Sequence, residues 1–368
     1  MKRTRLFSIL YFILIILNLV LIGCYTSYAN SNQSITLTEI GQYDFSGYTY
    51  TVKVINNIAY VSCGDFWILN VSDPSNINVL AQYPMFRAHK FWIADKLAYV
   101  TDEFNGLKIL NISDPTNPFI ISTYNDGGTA VNLFVVDDLV YLADVDDGLE
   151  IIDTHNITNP NEIGTYSKEG GISTVYLEDY LAYVIIFHVG GTSWLDILDI
   201  TDETQIEVLG RYNVSFSAHD IEVENGIVYV ANWENGIELI NVTDPANPSY
   251  LSSYDDGGFG ENLEVVDDIL YLADNHDGLQ IYNTKNPSSI HEIGRFFDGG
   301  NTKDLHVVDN IVYVTDSSEG LEIIKVEGLE KILRTAGFGI TTLMVSIILL
   351  RSTKIYQRKQ KNGASEEI

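Results

Sequence analysis

Apolar and polar residues alternate along most of this chain in short runs, broken by Asn, Asp, Gly and Pro. The pattern is cleanest in Val265-Val266-Asp267-Asp268-Ile269-Leu270-Tyr271-Leu272-Ala273-Asp274, followed by Gly278-Leu279-Gln280-Ile281-Tyr282. Nearly the same letters stand at 135–144 and 148–152. The tyrosine of this unit recurs at Tyr60, Tyr99, Tyr141, Tyr183, Tyr229, Tyr271 and Tyr313, in steps of 39, 42, 42, 46, 42 and 42 residues. Runs this short argue for strands, and a fixed period near 42 argues for stacked supersecondary units.

Each unit holds four apolar runs; in the second they cover 88–93, 97–101, 106–112 and 119–124. The first link is a two-residue turn: Asn56-Asn57, Asp137-Asp138, Asn225-Gly226, Asp267-Asp268, Asp309-Asn310. These residue types tolerate the positive φ that tight hairpins need. The next turn ends in Gly106, Gly148, Gly236, Gly278 or Gly320, and the third run stops at Asp-Pro or Asn-Pro, as at Asp114-Pro115 and Asn286-Pro287. Seven four-stranded antiparallel units predict an all-β, seven-bladed β-propeller over residues 35–326. An extra fourth-type run at 36–43 precedes the first unit, and the last unit stops at Val326 without one. The N-terminal strand is therefore expected to close the last blade and remove a free edge. An open solenoid would need polar capping units instead.

The stretch Gly106-Leu107-Lys108-Ile109-Leu110-Asn111-Ile112-Ser113-Asp114-Pro115-Thr116-Asn117-Pro118, repeated from Gly236 to Pro248, resembles the LVIVD-repeat family of secreted and cell-surface propellers. The resemblance runs through all seven units. It is weaker in the first, where Phe66-Trp67-Ile68 follows a shortened turn, and in the fourth, where 184–198 carries an insertion. It implies a β-propeller outside the cell and brings no reaction and no catalytic residues.

The ends differ from the repeats. Residues 1–29 begin with Lys2, Arg3 and Arg5, then an apolar run over 6–22, the layout of a secretory signal. Three readings stay open: cleavage after Ala29, lipidation of Cys24 in Leu21-Ile22-Gly23-Cys24, or a retained anchor. Residues 333–351 read as a membrane helix: 335–350 carries no charge and spans about 24 Å of helix. The basic tail, 352–368, is then cytoplasmic by the positive-inside rule. A buried C-terminal helix is the competing reading of 335–350. Together these predict a single-pass cell-membrane protein with its repeats outside.

Charge sharpens this picture. The chain carries a formal net charge of -29, and residues 30–330 hold 11 Lys and Arg against 48 Asp and Glu, a net of -37. Such a surface repels phosphate backbones, so nucleic acid is excluded as a partner, and cations or basic protein surfaces are favoured. Solubility alone is the plainer explanation. Two cysteines, Cys24 and Cys63, imply no disulfide framework, and Cys63 reads as a buried thiol.

Two kinds of loop, between units and between the second and third strands, are expected to share one face, and both are acidic. They supply the candidate calcium ligands Asp126, Asp255 and Asp256 from the first kind, and Asp144, Asp146, Asp147, Asp274 and Asp277 from the second. Turn preference for Asp, Asn and Gly explains the same letters without a metal. At the expected channel mouth, His89, His219, Glu261 and Lys303 occupy one repeat position and form the candidate acid–base or metal site. Asn32, Asn70, Asn111, Asn156, Asn213 and Asn241 are candidate glycosylation sites, with Asx turns as the alternative. There is no G-x-S-x-G, Walker loop, H-E-x-x-H or zinc-spaced Cys/His cluster. The expected function is non-enzymatic binding of a cation or basic partner. The alternatives are a metal-dependent hydrolase or lyase at the channel mouth and a structural envelope component.

Overall fold

The computed structural model describes residues 35–330, except 46, 168, 169, 189–191, 215–217, 256 and 318. The expected signal segment, Cys24, Asn32, Asp256 and the expected membrane helix lie outside the described residues. Among those described, no helix is long and apolar enough to cross a membrane. The unit from Leu37 to Lys325 carries the fold; of the other, 1–36 and 326–368, only Ile35, Thr36 and 326–330 are described.

Strands are nearly the only regular structure among the described residues, apart from a short 3-10 turn at Glu103–Asn105. Five sheets have four antiparallel strands, and a sixth has six, consistent with a propeller-like repeat. One sheet runs Ala130–Val136, Leu139–Asp144, Gly148–Asp153 and Asn161–Tyr166, each strand beside the next. The sheets 171–214, 220–254 and 262–296 repeat that order, and in a further sheet, of Thr302–Val308, Ile311–Asp316 and Gly320–Glu327, Thr36–Tyr43 lies beside Gly320–Glu327.

Turn chemistry explains the short links. Asn56, Asn57, Asp95, Asp137, Asp179, Asn225, Asp267, Asp268 and Asp309 all have φ between 51° and 64°, where Asn and Asp are tolerated and β-branched residues are not. A bulge recurs between the third and fourth strands, at Ile109/Leu110, Ile151/Ile152, Leu239/Ile240 and Ile281/Tyr282. Close to it, fourth-strand glycines receive the loop that follows the next unit's third strand. A Cβ on Gly164 would lie 1.9 Å from the Glu203 carbonyl oxygen, and one on Gly210 2.1 Å from that of Pro245. Only glycine fits there.

The six-stranded sheet departs from the sequence expectation. Ile58–Asn70 runs through what was expected as two strands, and Asn78–Ala94 fuses the fourth strand of the first unit with the first of the second. The cause is local. The first unit has only Gly64-Asp65 as its turn, absorbed as a bulge at φ 68°. The following segment lacks the Asp-Gly-Gly loop, and Met85 N donates instead to Asp65 Oδ1 at 3.0 Å.

The core lies between neighbouring sheets. One cluster joins Tyr141, Leu149 and Ile151 of one sheet to Ile172, Val175 and Val184 of the next. Another joins Val52, Val61 and Leu69 to Tyr313, Leu321 and Ile323. The repeating tyrosines are 1–7% exposed, so each serves as an inter-sheet wedge.

Candidate functional site

The first strands of the units present three rows of polar or aromatic side chains at matching positions. The first row contains the channel-mouth candidates. His219 Nδ1 lies 3.0 Å from Glu261 Oε2, Lys303 Nζ donates to Glu261 Oε1, and Asn275 Nδ2 donates to the same oxygen at 2.7 Å. Burial alone would raise the Glu261 carboxyl; the bonds from His219 and Lys303 outweigh it and hold the group below its ordinary range. His219 also stacks on Trp233 with ring centroids 4.5 Å apart. His89 is not part of this group. Its Nδ1 faces the Val131 carbonyl oxygen at 2.9 Å, its ring packs on Tyr50, and burial lowers its pKa.

The second row holds Lys90, Asn132, Thr174, Asp220, Asn262 and Asp304. Lys90 Nζ donates to Asp304 Oδ1 at 2.7 Å, and Asp304 Oδ2 accepts Val52 N at 2.8 Å. Asp220 Oδ2 accepts Asn262 Nδ2 at 2.8 Å. Burial raises Asp220 to about 6, against the pull of Lys90.

The third row divides by chemistry. Trp92, Phe134 and Tyr176 pack in sequence, with centroids 4.4 and 5.3 Å apart. Opposite in kind are Glu222, whose Oε2 accepts Val265 N at 2.5 Å, and Glu264, whose Oε2 accepts Val307 N at 2.9 Å. His306 Nδ1 accepts Val54 N at 3.2 Å, a role that requires a neutral ring, and burial pushes its pKa down to about 3. Burial raises Glu222 to about 8 and Glu264 to about 7. These groups satisfy backbone N–H donors on the adjoining unit's first strand, which is structural work. The sequence reading overlooked this; a polar residue every second position along each first strand was the available signal.

Both kinds of acidic loop do meet. Val145 N donates to Thr129 O at 3.0 Å, Ser317 N to Asn301 O at 3.0 Å, and Trp233 and Gly260 exchange backbone hydrogen bonds. At the junction stands the last residue of the second strand. Asp144 is 2% exposed, and its Oδ1 accepts Asp146 N at 2.7 Å and Asp147 N at 3.0 Å. Asp274, fully buried, accepts Phe259 N, and its carbonyl accepts Asp277 N at 2.6 Å. A Cβ on Gly128, Gly258 or Gly300 would fall 2.0–2.5 Å from a carboxylate oxygen of Asp144, Asp274 or Asp316. The second glycine of each Asp-Gly-Gly loop thus makes room for that carboxylate. Asp146 Oδ2 accepts Thr129 Oγ1 at 2.8 Å, and Asp255 Oδ1 caps its own turn on Gly257 N at 2.8 Å.

Of the predicted cation ligands among the described residues, Asp126 alone enters a group whose carboxylate atoms converge. Its partners, Glu150 and Glu162, were not anticipated; one ligand atom from each of the three lies within 4.8 Å of the others. Asp298, Glu319 and Glu322 form a second such group. Burial, then Asp126, raises Glu150 to about 9; burial, then Asp298, does the same to Glu322.

Asn70, Asn111 and Asn241 each turn Oδ1 onto the backbone N–H two residues on, at 2.9–3.0 Å, ending the third strand. Asn156 Oδ1 accepts Thr158 Oγ1 at 2.9 Å, and Asn213 is exposed on the strand Glu207–Val214. Cys63 is buried and unbridged, and burial pushes its thiol up to about 11.

No curated protein matches the sequence. Among solved structures the chain is similar to the computationally designed Ika8 protein, with a TM-score of 0.59 and 10% identity over 78% of this chain and 99% of that one. At that identity the likeness concerns fold alone. The LVIVD repeat model matches residues 46–84, 87–126, 127–168, 217–256, 257–298 and 299–326. Residues between 168 and 217 are unmatched, although Gly171–Glu178, Leu181–His188, Thr192–Asp199 and Glu207–Val214 form one four-stranded sheet there. With six matched repeats across more than half its length, the chain belongs to the LVIVD-repeat family.

Proposed function

We propose that the repeats form a closed seven-bladed propeller, held outside the cell by the C-terminal membrane helix, that binds a cation or a basic partner through its acidic loop face. Contacts between first strands support closure: they run from unit to unit and return from Thr302–Val308 to Thr51–Ile55. A Cβ on Gly41 would lie 2.1 Å from the Pro74 carbonyl oxygen, the relation that Gly164 and Gly210 have to their following units. The N-terminal strand thus takes the place of a fourth strand against the first unit.

The observation that carries the binding role is the division of charge. Carboxylates of the inter-unit loops, among them Asp126, Asp255 and Asp298, are exposed, whereas the titratable groups of the first strands are committed to each other and to backbone donors. A hydrolase or lyase at the first row has less support, because Glu261 accepts from His219, Lys303 and Asn275 and its basicity is spent. Two measurements test the proposal. Protease added to intact cells making the full chain should remove the repeats and spare the basic tail; full protection of the repeats overturns the placement. A partner bound by the full chain should be released by salt and lost when Asp126, Asp146, Asp147, Asp255 and Asp298 are changed to Asn. Binding that ignores both changes overturns the acidic-face reading.

A further inference from the structure

One position near the start of the third-strand apolar run is occupied by Lys108, Glu150, Asp196, Glu238, Gln280 and Glu322 in six units and by Trp67 in the first. In most units its polar group has a plain partner. Lys108 pairs with Asp102. Asp196 receives Arg211 Nε and Nη2, each at 2.5 Å, and Tyr166 Oη at 2.5 Å. Glu238 accepts Tyr212 Oη at 2.9 Å and Asn232 Nδ2 at 3.0 Å. Gln280 accepts Tyr282 Oη.

Glu150 and Glu322 break this pattern. Glu150 is 2% exposed and Glu322 1%, yet Glu150 Oε2 and Glu322 Oε1 have no hydrogen-bond partner. What surrounds them is more negative charge. Glu150 faces Asp126 from the inter-unit loop and Glu162 from the fourth strand; Glu322 faces Asp298 and Glu319. The two sets are related by the repeat: Asp298 stands 172 residues after Asp126, and Glu322 stands 172 after Glu150. Glu162 stands two residues before Gly164, as Glu39 stands two before Gly41, and the charge of Glu39 bears on Glu319. Leaving a buried carboxyl oxygen unpaired costs free energy unless something neutralises it.

The geometry points to two related sites for a hard divalent cation of the calcium class, one held by Asp126, Glu150 and Glu162 and the other by Asp298, Glu319 and Glu322. Three converging carboxylates, two near solvent and one from the interior, leave the remaining coordination positions to water, as oxygen-only ligation of this ion allows. Each ion would join an inter-unit loop to the third strand of the unit that follows. The inference deepens the acidic-face reading: it assigns the cation role to two sites and leaves the rest of the face to other partners.

Calcium titration of the full-length protein in neutral detergent, followed by calorimetry and by thermal unfolding, tests this. Saturable binding of two ions per chain is expected, with a rise in Tm. Glu150→Gln should remove one ion, Glu322→Gln the other, and the double variant both. Gln280 already fills this slot in the sixth unit, so the substitutions are compatible with the fold, and unchanged circular dichroism without calcium checks that. No saturable binding, or two ions still bound by the double variant, overturns the proposal and leaves Glu150 and Glu322 as carboxyls that share a proton with Asp126 and Asp298. Salt-sensitive partner binding retained by the double variant would confine that failure to the ion sites; its loss in a variant with only Asp146, Asp147 and Asp255 changed to Asn, which keeps every ligand of both ion sites, reports on the face separately.

Discussion

At the scale of single residues, burial sets the behaviour of the acids. Glu150 and Glu322 titrate near 9 in the folded chain against an ordinary value of 4.5, mainly through burial. Between those values the folded state keeps protons that the unfolded chain has released, so stability falls as pH rises from about 5 toward 9. Glu222 near 8, Glu264 near 7 and Asp220 near 6 act in the same direction. Urea unfolding in chelator should therefore give a midpoint that declines across this range, with a shallower decline in the Glu150→Gln, Glu322→Gln double variant. Gly300→Ala is the steric counterpart. Its Cβ would sit 2.0 Å from Asp316 Oδ2, and the crowding should cost about 1–3 kcal/mol, read as a lower urea midpoint with an unchanged slope.

The turn residues were legible in the sequence because few residue types accept positive φ, and Asn-Asn or Asp-Asp between apolar runs states its geometry directly. Glu150 was not legible. In Gly-Leu-Glu-Ile-Ile it reads as the outward residue of an alternating strand, and only packing against the preceding unit buries it. Its ligand partners lie 24 residues before and 12 after it, and no local pattern joins them. Asp144 and Asp274 show the converse: their loops read as ligand loops, and in the fold their carboxylates accept from the loop backbone.

At the scale of elements, the first strands hold one another by side chains rather than by a shared ladder. Asp304 is the central example, accepting from Lys90 on one side and from Val52 N on the other. Asp304→Ala strips Lys90 of its partner and leaves a backbone donor unmet; a loss of about 3 kcal/mol is expected in chemical denaturation. Asp304→Asn keeps an acceptor for Val52 N and should lose less. A double-mutant cycle with Lys90→Met isolates the charge pair. The sequence predicted four strands per unit with their turns, and missed the fusion of strands in the six-stranded sheet. The reason is visible at Gly64-Asp65 and 83–87: these links are shorter than the Gly-ended turns and Asp-Gly-Gly loops of other units, so pairing runs through them in spite of Gly64 and Pro84.

At the scale of the whole molecule, strand 36–43 beside 320–327 is the feature on which the proposed closure depends. Removing residues 36–43 should leave 320–327 as an open edge, and size-exclusion chromatography should report association where the full chain is monodisperse. The all-β repeat of four-stranded units was legible because its period is written in the letters. The N-terminal strand's fit against the Pro74 loop was signalled by one glycine, Gly41, whose meaning appears only when compared with Gly164 and Gly210.

That arrangement has a consequence for biosynthesis. Gln42 and Glu319, bonded through Gln42 Nε2 and the Glu319 carbonyl oxygen, are 277 positions apart. The first strand to leave the ribosome must wait for the last, ~15–60 s at ordinary elongation rates. During that interval the nascent chain carries a β-edge at each end of its growing array. The sequence Thr36-Leu37-Thr38-Glu39-Ile40-Gly41-Gln42-Tyr43, polar at Thr36, Thr38, Glu39 and Gln42 and broken by a glycine, is suited to surviving that wait unpaired.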